Sequence, residues 1–179
     1  MTVRRDHGQR ATALASREIE WPQPDTDLVH CRVAESARDR RAHWRVRHAV
    51  FVEEQLLFSD SDQDVRDFDE LTVLCVGLRG DVVAGAVRVY PLDAAGEHWQ
   101  GDRLAVLPDF RIGLGAPLVR FAVATARERG GRQMSAHVQL PNVVFFDRLG
   151  WRKDGPTEIY FGVPHQPMVI TWSDDAVTR

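Results

Sequence analysis

Only two cysteines occur in the 179 residues, Cys31 and Cys75, and both lie in apolar, strand-like runs without metal-ligand spacing. That scarcity argues against a disulfide framework and a cysteine-based metal site, and it suits a reducing compartment. No run approaches the ~20 apolar residues of a membrane span, and the N-terminal stretch has no apolar centre of a secretory signal. An excess of positive charge is missing too. The 23 lysines and arginines face 26 aspartates and glutamates, and a net charge of −3 leaves no electrostatic footprint for nucleic acid or a membrane surface. The expectation is a soluble cytoplasmic protein with a small-molecule ligand, no metal, no nucleic-acid partner and no membrane partner.

Against these absences, 44% hydrophobic residues are enough for one sizeable core, and one domain is the natural count. Residues 1–27 are polar and charged and end in Trp21-Pro22-Gln23-Pro24, which reads as a disordered leader; 28–172 reads as the single domain, and 173–179 as a tail. Leu28 to Ala34 forms a first strand. Ser36 caps a helix through about Val50, with Ala42, Val46, Ala49 and Val50 as its apolar stripe and arginines and histidines around the rest. An aspartate-rich stretch, Asp60 to Glu70, lacks the calcium-loop spacing with its central glycine, and reads as a solvated loop at a substrate entrance.

Leu71 to Leu78 and Val82 to Tyr90 are β-rich and joined by Arg79-Gly80-Asp81, a hairpin. A loop follows from Asp93 to Gln100. Leu104 to Leu107 is a short strand, followed by a turn at Pro108-Asp109, a glycine-bearing loop and a helix that stops at Gly130-Gly131. Pro117 sits in the first turn of that helix, and Leu118, Phe121, Ala122 and Ala126 line its apolar side. A helix that starts after Gly113 and Gly115 leaves its first N–H groups unpaired and open to an anion. The Gly-x-Gly lacks the third glycine of the dinucleotide fingerprint, and no Gly-Lys-Ser/Thr occurs, so a pyrophosphate cradle of another kind is the better fit. Gln133 to Val138 is a strand, Val143 to Leu149 a short helix closed by Gly150, and Ile159 to Val163 and Met168 to Trp172 two last strands around Pro164-His165-Gln166-Pro167.

Arg-x-Gly-x-Gly-Ala after the strand Arg103-Leu-Ala-Val-Leu-Pro108 resembles motif A of the GNAT superfamily of N-acetyltransferases, whose loop binds the pyrophosphate of acetyl-CoA. The stretch Arg47-His-Ala-Val-Phe-Val-Glu-Glu-Gln55 with its aspartate-rich sequel resembles a bacterial branch of the same superfamily. The resemblance covers roughly Leu28 to Trp172. It implies an α/β (α+β) GNAT fold, a mixed and mostly antiparallel central sheet of about seven strands flanked by about four helices. It further implies acetyl-CoA as co-substrate, a small amine or amino-acid-like acceptor, and direct transfer in a ternary complex. Exposed edge strands of such a sheet also permit a homodimer.

Carried onto this chain, the resemblance puts pantetheine and acetyl contacts at the backbone of Leu104, Ala105 and Val106. The pyrophosphate contacts fall at Arg111, Ile112, Gly113, Leu114, Gly115 and Ala116. The tyrosine that many members use to protonate the leaving thiolate is here Phe146, which cannot donate a proton. The accompanying asparagine position falls on Gln139, with Asn142 nearby, and motif A is one residue shorter than usual between arginine and the first glycine. Candidate bases are His137, Glu54, Asp102 and His165. Arg88, Arg103 and His165 are candidates for the acceptor side, where the two arginines either hold an acceptor carboxylate or pair with the aspartates of the 60–70 loop.

Two further readings accompany this one. Arg47, Phe51, Asp62-x-Asp64-x-x-Asp67 and Arg88-x-x-Pro91 resemble the outline of acyl-homoserine-lactone synthases, which share the scaffold. A non-catalytic acyl-CoA sensor that kept the cradle and lost the proton chemistry is the third, with Phe146 as its support.

Overall fold

The computed structural model describes residues 28–172; the leader and the tail expected at either end lie outside the described residues. Eight strands form one mixed sheet: β1 (Val29–Val33), β2 (Val73–Arg79), β3 (Val82–Pro91), β4 (His98–Val106), β5 (Gln133–Gln139), β6 (Arg152–Lys153), β7 (Glu158–Tyr160) and β8 (Val163–Thr171). Their order is β1-β2-β3-β4-β5-β8-β6, with β7 also paired to β8. Every pairing is antiparallel except that of β4 with β5. The three α-helices are α1 (Ala37–Arg47), α2 (Arg111–Glu128) and α3 (Val143–Arg148), and α1 continues as a π-helix over His48–Glu54.

β2 reads as a continuous apolar run because both of its faces are covered, as expected of a strand inside a sheet with helices on either side. α2 lies on one face against β1, β2 and β3; α1 lies on the other, against β3 and β4. The α2 approach is close. A Cβ on Gly85 of β3 would come within 2.9 Å of Leu118 Cδ2, so a side chain there would push the helix off the sheet.

Ser36 caps α1 as expected, its hydroxyl accepting from the Asp39 N–H at 3.0 Å. The stripe of Ala42, Val46 and Val50 is buried, but the polar cover is not uniformly solvated, because His43 and Arg47 are wholly buried as well. The helix passes Val50 and widens to the π form through Glu54, which turns Phe51, Glu54 and Gln55 toward the middle of the sheet.

Two strand boundaries differ from the sequence reading. β4 begins at His98, inside the expected 93–100 loop, because Asp93 accepts from the His98 N–H (2.8 Å) and turns the chain straight back beside β3. The last two expected strands are reorganised: β8 runs unbroken from Val163 through Pro164 and Pro167 to Thr171. Prolines were read as breakers there, yet they are accommodated beside the short β7 and the end of β5.

One feature of the sheet prepares the site. β4 and β5 pair only at His98↔Gln133, Trp99↔Met134 and Gln100↔Ser135, and beyond Gln100 the strands part. β4 is irregular just past that point: the residue opposite Val87 is bulged, and Arg103 takes a left-handed φ of 52°.

Candidate active site

Two cavities open where β4 and β5 separate. The larger, about 340 Å³, runs along Leu104 to Val106 toward Arg111 and Gly115, with Glu54, Asn142 and Phe145 on its other walls. The smaller, about 120 Å³, lies toward Phe58, Asp102, Arg103, His137, Tyr160 and His165. Gln55, Leu104, Gln139, Asn142 and Phe146 line both, so the two spaces adjoin along these residues. Gln139 Nε2 donates to Gln55 Oε1 at 2.9 Å, a bridge from β5 to the π-helix at that neck.

The larger cavity is built chiefly from backbone. Leu107 N–H donates to the Ala84 carbonyl at 2.9 Å, so strand alternation turns the Ala105 N–H toward β3 as well. The N–H groups of Leu104 and Val106 therefore face the side from which β5 has departed. At the far end, Ile112 and Gly113 leave helical geometry, Gly113 with φ of 93°, and regular α2 begins at Leu114. Leu114, Gly115 and Ala116 thus present N–H groups without intrahelical partners, and Pro117 has none to present. Arg79 Nη2 donates to the Ile112 carbonyl at 2.8 Å and pins this turn from behind. The φ of 93° at Gly113 requires glycine, and a Cβ there would sit 2.9 Å from that same nitrogen and displace the arginine tip. Arg111 reaches back to the Val106 carbonyl (3.3 Å) and pairs with Glu54 at 2.6 Å.

Side chains make up the smaller cavity. His165 Nδ1 donates to the Val163 carbonyl at 2.9 Å, so that in the neutral ring Nε2 is the acceptor, and Nε2 has no hydrogen-bond partner among the described residues. His137 stacks on Tyr160 with centroids 4.5 Å apart, and its Nε2 meets Glu158 Oε1 at 2.8 Å. Burial first, and the negative charge of Asp102 second, hold the Tyr160 phenol above its usual pKa. Phe146 packs edge-on against Trp151 in the main core and reaches both cavities.

Behind this cavity lies a buried ion-pair network. Arg47 contacts Asp62 (2.6 Å) and Asp67; Arg88 contacts Asp64 (2.7 Å), Asp67 (2.8 Å) and, with two nitrogens, Asp102 (2.7 and 2.8 Å). Arg103 contacts Asp62 (3.3 Å) and Asp64 (3.2 Å) and lies over the rings of Phe58 and Phe161 at 5.0 and 4.8 Å. Burial would raise the carboxyl pKa of Asp67, but the hydrogen bonds and charge of Arg47 outweigh it and hold the group below its usual value. Next to the network, burial and then the charge of Arg47 push His43 down to about 3, and His43 Nε2 donates to the Val87 carbonyl at 3.2 Å.

The 60–70 segment is only in part the solvated loop expected: Asp60, Gln63, Val65 and Glu70 are exposed, but Asp62 and Asp67 are buried in ion pairs and Asp64 faces Arg88 and Arg103. The residues behind the synthase-like outline, Arg47, Asp62, Asp64, Asp67 and Arg88, are members of this one network. Of the arginines proposed for an acceptor, Arg88 has all its nitrogens engaged by carboxylates and does not line the cavity, whereas Arg103 does line it. Glu54 is on the larger cavity and tied to Arg111, and both oxygens of Asp102 are taken by Arg88. His137, His165, Gln139, Asn142 and Phe146 come together as lining residues.

Tyr160, Glu158, Phe58 and Gln55 were not singled out as functional. Gln55 stood in a quoted motif without a role, and the other three sit in short segments whose spacing carries no signal.

Comparison with known proteins agrees with this geometry. Residues 40–151 match the model of the Acetyltransferase (GNAT) family. A Bacillus subtilis (strain 168) protein provisionally named an acetyltransferase is 28% identical over 145 residues, 79% of this chain and 94% of that protein. A crystal structure from Lactobacillus plantarum, provisionally named an N-acetyltransferase, superposes with a TM-score of 0.71 at 26% identity over 80% of this chain and 97% of that one. A Salmonella typhimurium structure, also provisionally named an acetyltransferase and solved with its cofactor acetyl-CoA, has a TM-score of 0.64 at 17% identity and covers 85% of this chain and 98% of that one.

Proposed function

Because the chain belongs to the GNAT acetyltransferase family, we propose that it transfers an acetyl group from acetyl-CoA directly to a small primary amine, in a complex that holds both substrates at once. The observation that carries this reading is the pair of cavities that adjoin along Leu104, Gln139 and Phe146, one built for a donor and one for an acceptor.

The donor fits the larger cavity. Its pyrophosphate would lie on the N–H groups of Leu114, Gly115 and Ala116, where the helix dipole adds favourable potential. Its pantetheine arm would run along β4 and take up the N–H groups of Leu104 and Val106, which no strand satisfies. A single N–H aimed at the thioester oxygen is worth about 3 kcal/mol once charge develops there. The Salmonella typhimurium neighbour, which holds acetyl-CoA on the same fold, supports this placement.

The amine enters from the smaller cavity as an amino-acid-like molecule. His165 is the base of choice, because its Nδ1 bond to Val163 presents Nε2 to the cavity in the accepting state. Asp102 has both oxygens bonded to a guanidinium and is less free to take a proton; His137, whose Nε2 meets Glu158, keeps Nδ1 in the same way and is the second candidate base. His165 takes one proton from the ammonium, the neutral amine nitrogen forms a bond to the carbonyl carbon, the carbon–sulfur bond breaks, and the second proton shed by that nitrogen balances the one gained by the thiolate. Phe146 has no proton to give. Tyr160 is the hydroxyl-bearing side chain in this cavity and, as a phenol, carries a proton at neutral pH, the state a donor requires.

Calorimetric titration with acetyl-CoA, followed by thiol release against an amine panel, tests the reading. Wild type binds acetyl-CoA and releases thiol. Gly113→Trp loses binding by at least about a hundredfold, whereas His165→Gln keeps binding and lowers thiol release by about a hundredfold. Acetyl-CoA that fails to bind would sink the proposal; binding without turnover on any amine would favour the sensor reading, and preference for long-chain acyl-CoA the lactone-synthase reading.

A further inference from the structure

The smaller cavity has a charge pattern that the aspartate-rich sequence conceals. Four aspartates, Asp62, Asp64, Asp67 and Asp102, suggest attraction for a polycation, yet each is bonded to one or more of Arg47, Arg88 and Arg103. The one aspartate in the cavity wall, Asp102, is covered by two nitrogens of Arg88. Arg103 is different from its two partners. Nε points to Asp62 and Nη2 to Asp64, while Nη1 has no hydrogen-bond partner among the described residues.

Arg103, with its left-handed φ at the bulge in β4, is in the cavity wall, and its guanidinium lies over both Phe58 and Phe161, whose own rings are 5.1 Å apart. The site is thus a pre-positioned, half-satisfied cation. Apolar side chains share the lining with the polar ones: Phe51, Leu57, Phe58, Phe161, Ala136 and Val138.

We infer that the acceptor is an α-amino acid with an apolar side chain, whose free carboxylate is bound by Arg103 Nη1 while its side chain lies against Leu57 and Phe58. This rests on the transferase reading above and sharpens it to one substrate class. It disfavours two others. A polyamine would meet a cation and no unpaired wall carboxylate, and a peptide N-terminus has an amide where Arg103 needs an anion.

The test compares leucine, leucinamide and isoamylamine as acceptors at fixed acetyl-CoA, and N-acetylleucine with N-acetylleucinamide as ligands in a thermal-shift assay. A site that pairs a buried donor rejects an analogue lacking the partner, so leucine should exceed leucinamide in kcat/KM by about a hundredfold or more. N-acetylleucine should raise the melting temperature where its amide does not. In Arg103→Met the ratio of leucine to leucinamide falls toward one, and Arg103→Lys restores part of it. Wild type needs no substitution to decide the matter: if leucinamide or isoamylamine matches leucine while acetyl-CoA binds and turns over, the carboxylate assignment is overturned and the transferase reading stands. If acetyl-CoA does not bind, the transferase reading falls; a thermal shift that fails to distinguish acid from amide overturns the carboxylate assignment under either result.

Discussion

The two cavities solve the problem of binding with different materials. The larger one presents N–H groups of Leu104, Val106, Leu114, Gly115 and Ala116, and its one salt bridge, Arg111 with Glu54, is half exposed. The smaller one is a side-chain surface propped on three guanidiniums and four carboxylates, several of them fully buried. Backbone donors are held by the fold itself, so the larger cavity depends little on which side chains surround it. The acceptor wall is as good as its charge balance, and each member is exposed to the failure of its neighbour.

The contrast is broken most forcefully at Arg47. Replacing it with methionine leaves Asp62 and Asp67 buried with one fewer counter-ion, and we expect a loss of about 3–5 kcal/mol in urea unfolding. A loss under about 1 kcal/mol would mean the network is an ornament on an already stable sheet.

His43 gives the next effect. Its folded pKa of about 3 lies below the unfolded value near 6.5, so the unfolded chain binds the proton first and stability falls as pH drops between those values. From pH 6.5 to pH 5 this one residue should remove up to about 2 kcal/mol, at 1.36 kcal/mol per unit. In His43→Gln that part of the slope disappears. Asp64 and Asp67, whose carboxyls are held below their usual range, add a further loss only at lower pH, toward and below 4.

The smallest effect sharpens the other half. Removing Arg111, whose guanidinium is nearly half exposed, should weaken acetyl-CoA by less than about tenfold in titration, about 1.4 kcal/mol, because the cradle is backbone. A larger loss would place the donor site on side chains after all and erase the contrast between the cavities.

The same contrast explains what could be read in advance. The strand, Gly-x-Gly turn and helix around Gly113 were legible because a backbone cradle needs glycine, a helix start and little else, and those leave marks in a linear sequence. Ser36, the Gly80-Asp81 turn and the apolar stripe of α2 were legible for the same local reason. The ion-pair network was not. Arg47, Asp67, Arg88 and Asp102 are spread over 56 positions (47 to 102) and meet only because α1, the 60–70 segment, β3 and β4 converge. Whether an aspartate is solvated or buried depends on that convergence, and no spacing rule reports it. The path of β8 through Pro164 and Pro167 escaped for a related reason, since a proline breaks a strand only where its missing N–H was needed.

The parting of β4 from β5 has one more consequence. Three residue pairs are all the direct strand pairing between the β1–β4 half of the sheet and the half that contains β5, β6, β7 and β8. Below them the sheet is a ladder with its rungs left out. A donor held in the groove as proposed would satisfy the N–H groups of Leu104 and Val106 and stand in for those rungs. The continuity of the sheet is then a property of the complex, and the free protein carries a built-in gap at the place where its chemistry happens.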